Sequence, residues 1–421
     1  SKELRFRKSV LKGDLEYLRQ AMTKHPVDIN FRDQNGATYA HHAAFRGHIE
    51  ILEYIAGLGA KLDEVDADGC TPLHNAAFQG RKKCVFFLID HDACVDKADL
   101  DGATAMHKAA YNGHRVCVKL LVVAGASPSA LDHEKISALQ KATFNNQMRC
   151  VQYLLEVAPN VVSVPDTSGS TALHKAAFNG NYDILMALLE NGANVNAQDN
   201  EKVTALHNAV FKAYEACASL LIDHKADVLL KSSFGMTALH FAAAKGSVSC
   251  IKLLVKNGAV VNEQDNKGMT ALHYAAKKQR KSAVVELLDL KADRTITDSK
   301  GRTPLDLAKK NQYLLERLGN GDAASSSSAD RRKGNKRREP TKEVAGDAKS
   351  TKKDKGKNAG LGAGRGRSKK AAASTSGETR ADAQGESAER VASGPSGPVS
   401  DGGESSGGQK GNGEPNSVEV A

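Results

Sequence analysis

The chain has 421 residues, of which 40% are hydrophobic but only 5% aromatic, and its formal net charge is +10. This length exceeds what one hydrophobic core usually serves, and the absence of tryptophan is unusual for a large enzyme. The seven cysteines are an odd number, which argues against a disulfide framework and favours a reducing compartment.

The amino-terminal stretch SKELRFRKSVLKGD is charged and contains no apolar run of the length that signal peptides carry. No other stretch predicts a membrane-spanning helix. We therefore expect an intracellular protein, in the nucleus, the cytoplasm or both, that has no membrane partner.

A short motif that begins with Thr or Ser recurs along the chain at steps of 33 residues, with a single step of 34. Each unit predicts a turn with Asp and Gly, a first helix that begins after the Thr, a second helix that ends near a Leu pair, and an extended return. Thr suits the start of a helix because its hydroxyl accepts from an exposed backbone N–H. The leading residues are Thr38, Thr71, Thr104, Ser137, Thr171, Thr204, Thr237, Thr270 and Thr303.

The motifs TPLH (71–74), TALH (171–174, 204–207, 237–240 and 270–273) and TPLD (303–306) closely resemble those of ankyrin-repeat proteins. The resemblance covers roughly residues 1–320 and about ten units. It implies an all-α repeat fold, an α-solenoid of helix pairs with β-hairpin-like turns. We predict an N-terminal capping repeat at 1–35, eight internal repeats at 36–300 and a C-terminal capping repeat at 301–320. Because the family mostly binds proteins and catalyses nothing, we predict a non-enzymatic scaffold or adaptor.

One position of the first helix is aromatic in six successive units. With Leu173 at 0° on a helical wheel, Phe178 falls at about 140°, away from the apolar stripe. The resemblance places this position on a concave face, where such residues, with polar neighbours, predict a binding site for a protein segment that carries apolar anchors and acidic residues. Alternatively, each ring lies flat over the neighbouring first helix and fills a gap. The predicted site comprises Phe45, Phe78, Tyr111, Phe144, Phe178 and Phe211, with Arg46, Asn112, Asn179 and Lys212 at the rim.

Rows of histidine, cysteine and aspartate also recur, but neighbouring repeats stand about 10 Å apart. Zinc ligands must lie about 2 Å from one ion, and bonded cysteines need Cα atoms within about 7 Å. We therefore predict no metal, no cofactor and no catalytic residue. The histidines are expected to link each Thr to the adjacent turn, the cysteines to pack in the core, and the aspartates to bond their own turns.

Residues 321–421 predict a disordered tail because they contain no aromatic residue and are rich in Gly, Ser, Ala, Lys and Glu. Residues 331–370 carry 16 Lys and Arg against 4 Asp and Glu, whereas 371–421 carry 3 against 8. A nuclear import signal or a nucleic-acid contact is predicted for Arg331, Arg332, Lys333, Lys336, Arg337 and Arg338. A nucleic-acid-associated protein that uses this tail, and a structural spacer, are the alternatives to a scaffold, and we expect a monomer.

Overall fold

The computed structural model of the protein describes residues 2–308 and 311–319. Within them the chain forms α-helices, one 3-10 helix at Pro159–Val161 and no strand. The predicted tail, including the basic cluster at 331–338, lies outside these residues. In chain order the helices are α1 (Lys2–Lys12), α2 (Leu15–Lys24), α3 (Tyr39–Arg46), α4 (Ile49–Gly57), α5 (Pro72–Phe78), α6 (Lys82–Asp90), α7 (Ala105–Tyr111), α8 (Arg115–Val123), α9 (Ala138–Phe144), α10 (Met148–Val157), α11 (Ala172–Asn179), α12 (Tyr182–Glu190), α13 (Ala205–Lys212), α14 (Glu215–Asp223), α15 (Ala238–Lys245), α16 (Val248–Lys256), α17 (Ala271–Lys277), α18 (Lys281–Asp289), α19 (Pro304–Leu307) and α20 (Gln312–Gly319).

These helices form ten pairs, so that odd-numbered helices are the first and even-numbered helices the second helix of units 1 to 10. First helices pack against the first helices of neighbouring units, and second helices against second helices. The paired alanines, such as Ala76 and Ala77, are fully buried and let neighbouring first helices approach closely. This is the all-α repeat architecture that the sequence predicts.

Each first helix from α3 to α19 begins with a capping box. In unit 3 the hydroxyl of Thr71 accepts from the backbone N–H of His74 at 3.4 Å. In return, Nδ1 of His74 accepts from the backbone N–H of Thr71 at 3.1 Å. The histidine thus takes the part of Glu or Gln in the usual capping box. Two backbone N–H groups that have no partner within the helix are hydrogen-bonded in this way.

The second ring nitrogen of the same histidine reaches into the next repeat. Because Nδ1 of His74 accepts, its Nε2 carries the proton, and it donates to the carbonyl oxygen of Ala103 at 3.1 Å. Five further histidines make this bond, whereas Nε2 of His207 makes none. Gln140 replaces histidine in unit 5 and donates to the carbonyl of Ser170 at 2.9 Å. The five further pairs are His41 with Cys70, His107 with Ile136, His174 with Val203, His240 with Met269 and His273 with Arg302.

The turns between units are held by their aspartates. Oδ1 of Asp99 accepts from the backbone N–H groups of Asp101 at 3.0 Å and Ala103 at 2.8 Å, and its Oδ2 pairs with Nζ of Lys108 at 2.6 Å. Neighbouring turns are also bonded through their backbones, as where Leu100 N–H donates to the carbonyl of Asp68 at 3.0 Å. The same backbone bond recurs between all successive turns from unit 2 to unit 10.

The cysteines at one position of the second helix are buried and unbonded to one another. Burial raises the pKa of the Cys84, Cys117 and Cys150 thiols to about 11. They are therefore protonated near neutral pH and act as small apolar core groups.

A residue one or two positions beyond the end of each first helix from α1 to α17 adopts a left-handed conformation. Gly180 has φ of 73°, and Ala213, at the same position in unit 7, has φ of 64°. A side chain at this position is strained because its Cβ approaches the following backbone. A Cβ on Gly180 would in addition lie 2.9 Å from the ring of Tyr214.

We expect Ala213→Gly to stabilise the protein by about 1 kcal/mol, because it removes this strain. Gly180→Ala is the matched reverse change, and it should destabilise by more than 1 kcal/mol because it adds strain and a contact with Tyr214. Urea unfolding monitored by far-ultraviolet circular dichroism measures both changes. A destabilising Ala213→Gly would contradict the strain argument.

The buried histidines predict a pH-dependent stability. Burial lowers the pKa of each below the usual 6.5, and that of His207 to about 4. Below pH 6.5 the histidines of the unfolded chain are protonated, whereas those of the folded chain stay neutral. The free energy of unfolding therefore decreases as the pH falls from 6.5 toward the folded-state pKa values. The loss is up to about 1.4 kcal/mol per pH unit for each histidine. The seven are His41, His74, His107, His174, His207, His240 and His273.

The urea concentration at the midpoint of unfolding should accordingly decrease as the pH is lowered from 7.5 to 5. His174→Gln should reduce the slope of the unfolding free energy against pH by the contribution of about one proton. Gln140 shows that glutamine can make the same inter-repeat bond without titrating. A midpoint that does not change over this range would show that histidine protonation is not coupled to unfolding.

Candidate protein-binding surface

The six aromatic residues predicted from the sequence, which we call the aromatic row, lie in the last turns of α3, α5, α7, α9, α11 and α13. Four side chains are exposed to nearly the same degree: Phe45 at 37%, Phe78 and Phe144 at 39%, and Tyr111 at 40%. Each therefore packs about three fifths of its surface against the protein and leaves the rest to solvent. The rings of units 2 to 5 form the open part of the row.

The last two rings are each contacted by a neighbouring side chain. The ammonium group of Lys212 lies 4.0 Å from the ring centroid of Phe178, in a cation–π contact. Phe241, from the following unit, meets the ring of Phe211 edge-on with centroids 6.1 Å apart. Phe178 and Phe211 are consequently only partly exposed. The row thus consists of four exposed rings and two rings that are partly buried.

The asparagines beside the row hold its backbone in place. Nδ2 of Asn112 donates to the carbonyl of Phe78 at 2.9 Å, and Nδ2 of Asn179 donates to the carbonyl of Phe144 at 2.8 Å. Asn145 makes the equivalent bond to Tyr111 at 2.9 Å. Each bond joins one repeat to the carbonyl at the end of the preceding first helix. Two of the predicted rim residues, Asn112 and Asn179, therefore bind their own neighbouring repeat.

The positively charged rim residues differ in their surroundings. Arg46 is exposed at the amino-terminal end of the row, whereas Lys212 is partly buried over Phe178. Beyond the row, the aromatic position is taken by Ala244 and then by Lys277. Burial lowers the pKa of Lys277, and the nearby positive charges of Lys267 and Lys278 lower it further. This end of the surface is a crowded group of cations, which an anion would stabilise.

Two tests for other kinds of site bear on the described part of the chain. Residues 2–308 and 311–319 contain no group of three or more His, Cys, Asp or Glu side chains that could hold a metal ion. Over the same residues, no helix is long and apolar enough to span a bilayer.

Comparison with known families agrees with the repeat geometry. A family model described as ankyrin repeats (3 copies) matches residues 8–99, 41–132, 91–163, 106–199, 139–232 and 194–265. A second model, described as ankyrin repeats (many copies), matches residues 243–288. The chain belongs to the ankyrin-repeat family. Ankyrin repeats are generally protein-interaction modules and typically not enzymes, so this membership supports a protein-binding role at a general level.

Sequence reasoning missed two features of this ankyrin-repeat surface. The contact of Phe241 with Phe211 was missed because Phe241 belongs to a position that is Lys or Asn in most of the other units. The hydrogen bonds of Asn112 and Asn179 were missed because a wheel gives the direction of a side chain and not its partner. This position holds Asn in three successive units and Arg46, Gln79 or Lys212 in the others, and this repetition of Asn was the signal that could have indicated a shared hydrogen bond.

Asn145→Ala should destabilise the ankyrin domain by about 1 kcal/mol, because it leaves the carbonyl of Tyr111 without the amide of the next repeat. Gln79→Ala is the matched control, since Gln79 occupies the same position and its side chain makes no hydrogen bond to the described residues. Thermal and urea unfolding should separate the two variants. Equal stability losses would contradict a bridging role for the asparagine.

Proposed function

We propose that this ankyrin-repeat protein is a non-enzymatic scaffold or adaptor that binds a protein segment along the aromatic row. The observation that supports the proposal most strongly is the equal exposure of Phe45, Phe78, Tyr111 and Phe144 on four successive units. Exposed apolar groups in a contiguous row, with polar groups beside them, are typical of partner surfaces. The asparagine bonds make the row rigid, which reduces the entropic cost of binding.

The spacing of the repeats suggests the size of the partner segment. Neighbouring first helices pack at roughly 10 Å, so four open rings extend over about 30 Å. An extended segment of about nine residues, or a helix of about twenty, has that length. The open part of the row is therefore suited to a short linear segment with apolar residues spaced to meet successive rings.

The charges beside the row favour an acidic segment. Arg46 lies at one end, and Lys212, Lys277 and Lys278 follow the row toward the other. Lys277 and Lys278 are exposed and form no salt bridge with any described residue. We propose a protein partner that places apolar residues on the rings and carboxylates on these cations. Phe178 and Phe211 continue the surface with smaller exposed fractions, and Asn112 and Asn179 connect it to the preceding repeats by hydrogen bonds.

The remaining parts of the proposal concern organisation and location. We propose capping repeats at 1–35 and 301–320, eight internal repeats at 36–300, and a monomeric protein of the nucleus or cytoplasm. The cluster from Arg331 to Arg338 would supply nuclear targeting, or affinity for nucleic acid.

The test is a quantitative capture experiment with the full chain. Wild-type protein is compared with Phe78→Leu/Tyr111→Leu/Phe144→Leu, in which the side chains stay apolar but the rings are lost. We expect recovery of the partner to fall at least tenfold, because ring contacts dominate such interfaces. Tyr182→Leu, which changes an aromatic side chain of similar exposure on a second helix, should leave recovery unchanged.

Urea unfolding of each variant must first show that the fold persists. If the triple variant is folded and captures the same proteins as wild type, the aromatic row is not the binding surface. Deletion of residues 321–421 provides a second comparison. A loss of all binding on this deletion, with a steep dependence of binding on salt, would favour the nucleic-acid alternative.

A further inference from the structure

A cavity of about 560 Å³ opens among the second helices of units 3 to 5. Its walls are the turns at Gly80 and Gly113, the starts of α6 and α8, and one side of α10. None of the aromatic row lines it. Its volume lies within the range of sites that bind ligands or side chains in other proteins. We call it the basic cavity.

The lining of the basic cavity combines apolar and cationic groups. Val116, Cys117 and Tyr153 are its apolar residues, and Lys82, Arg115 and Arg149 are its cations. The guanidinium group of Arg115 lies 5.5 Å from the ring centroid of Tyr153. Glu156 is the one carboxylate in the lining. A ligand that fits these walls has an apolar group and more than one negative charge.

The three cations lack acidic partners. Neither Lys82 nor Arg115 nor Arg149 forms a salt bridge with any residue that the structure describes. Lys83 and Lys119 add two further exposed and unbridged cations on α6 and α8. Positive charge is thus concentrated near the starts of three successive helices.

These cations also stand where a helix disfavours them. Lys82, Arg115 and Arg149 lie in the first turns of α6, α8 and α10, and no acidic residue is present in those turns. The amino-terminal end of a helix carries partial positive charge, so a cation there is unfavourable. The second helices of units 2, 6 and 7 instead carry an acidic residue in the first turn. The second helices of units 8 and 9 also lack an acidic residue there, and that of unit 9 begins with Lys281. Units 3 to 5 differ because the cations at their helix starts border one cavity.

We propose that the basic cavity binds an acidic protein segment in which carboxylates flank one apolar residue, and that the side chain of this residue enters the cavity. Charge complementarity supports an anionic ligand, and the walls of Val116, Cys117 and Tyr153 support an apolar group. The length of the ligand is limited by the flanking units, where Glu50 on α4 and Asp183 on α12 would repel a longer polyanion. A short acidic segment fits this boundary better than a nucleic-acid backbone or an anionic membrane.

The proposal is tested with the full chain and a fluorescein-labelled peptide that has one phenylalanine between two runs of glutamate. Fluorescence polarisation should show saturable binding, and Arg149→Glu should weaken it at least tenfold. Because glutamate suits the first turn of a helix, this variant should remain folded. Lys281→Glu is the matched control: it reverses an exposed charge in the first turn of α18, outside the cavity, and should change the affinity less than twofold.

Two altered peptides test the chemistry of the ligand. Replacing the phenylalanine by glycine, or the glutamates by glutamine, should each weaken binding severalfold. Phe78→Leu/Tyr111→Leu/Phe144→Leu should bind the peptide like wild type, which separates this site from the aromatic row.

Several results would overturn the proposal. These are no saturable binding of the peptide, equal losses in Arg149→Glu and Lys281→Glu, or loss of binding in the triple aromatic variant. Anionic vesicles and a single-stranded oligonucleotide serve as competitors. If either binds more tightly than the peptide and is equally sensitive to Arg149→Glu, the ligand is not an acidic protein segment.

Discussion

The structure depends on the packing of each helix pair against the helix pairs of the neighbouring units. One unit of 33 residues cannot bury the apolar sides of both its helices, so its stability comes from stacking. The histidine in the capping box makes this dependence directional, because Nδ1 satisfies the start of its own helix and Nε2 bonds the backbone of the next unit. Local helix formation and the joining of repeats are thus coupled through one side chain, and the backbone bonds between turns add a second connection.

This coupling gives a rigid support for surface groups. The asparagines bond the carbonyls at the ends of the preceding first helices, and those helices end with the open rings of the aromatic row. The rings are consequently held at a repeat spacing and in a constant degree of exposure. Such a support favours recognition of a linear segment with regularly spaced apolar residues, because the surface is ordered before the partner arrives.

The two proposed surfaces differ in how the chain departs from its own pattern. Along the aromatic row, a position that faces away from the core keeps an apolar residue in six units. At the basic cavity, cations occupy the starts of three successive helices, whereas the second helices of the units directly before and after them carry an acidic residue in the first turn. The first departure exposes apolar surface and the second concentrates like charge. Both are unfavourable for an isolated protein and become favourable against a complementary partner.

The sequence by itself determined the repeat length, the helix pairs and the position of the aromatic row, because these follow from local patterns of period 33 and 3.6. It also indicated the structural role of the histidines, because equal spacing at about 10 Å prevents them from sharing an ion. Only the tertiary structure decided that Phe178 and Phe211 contact neighbouring side chains and are partly buried, whereas Phe78 and Phe144 are exposed, and that three cations border one cavity. The reason is physical: exposure, cation–π contacts and cavity walls depend on side chains from two or three neighbouring units. The sequence pattern of a single unit does not predict which side chains of other units will contact it.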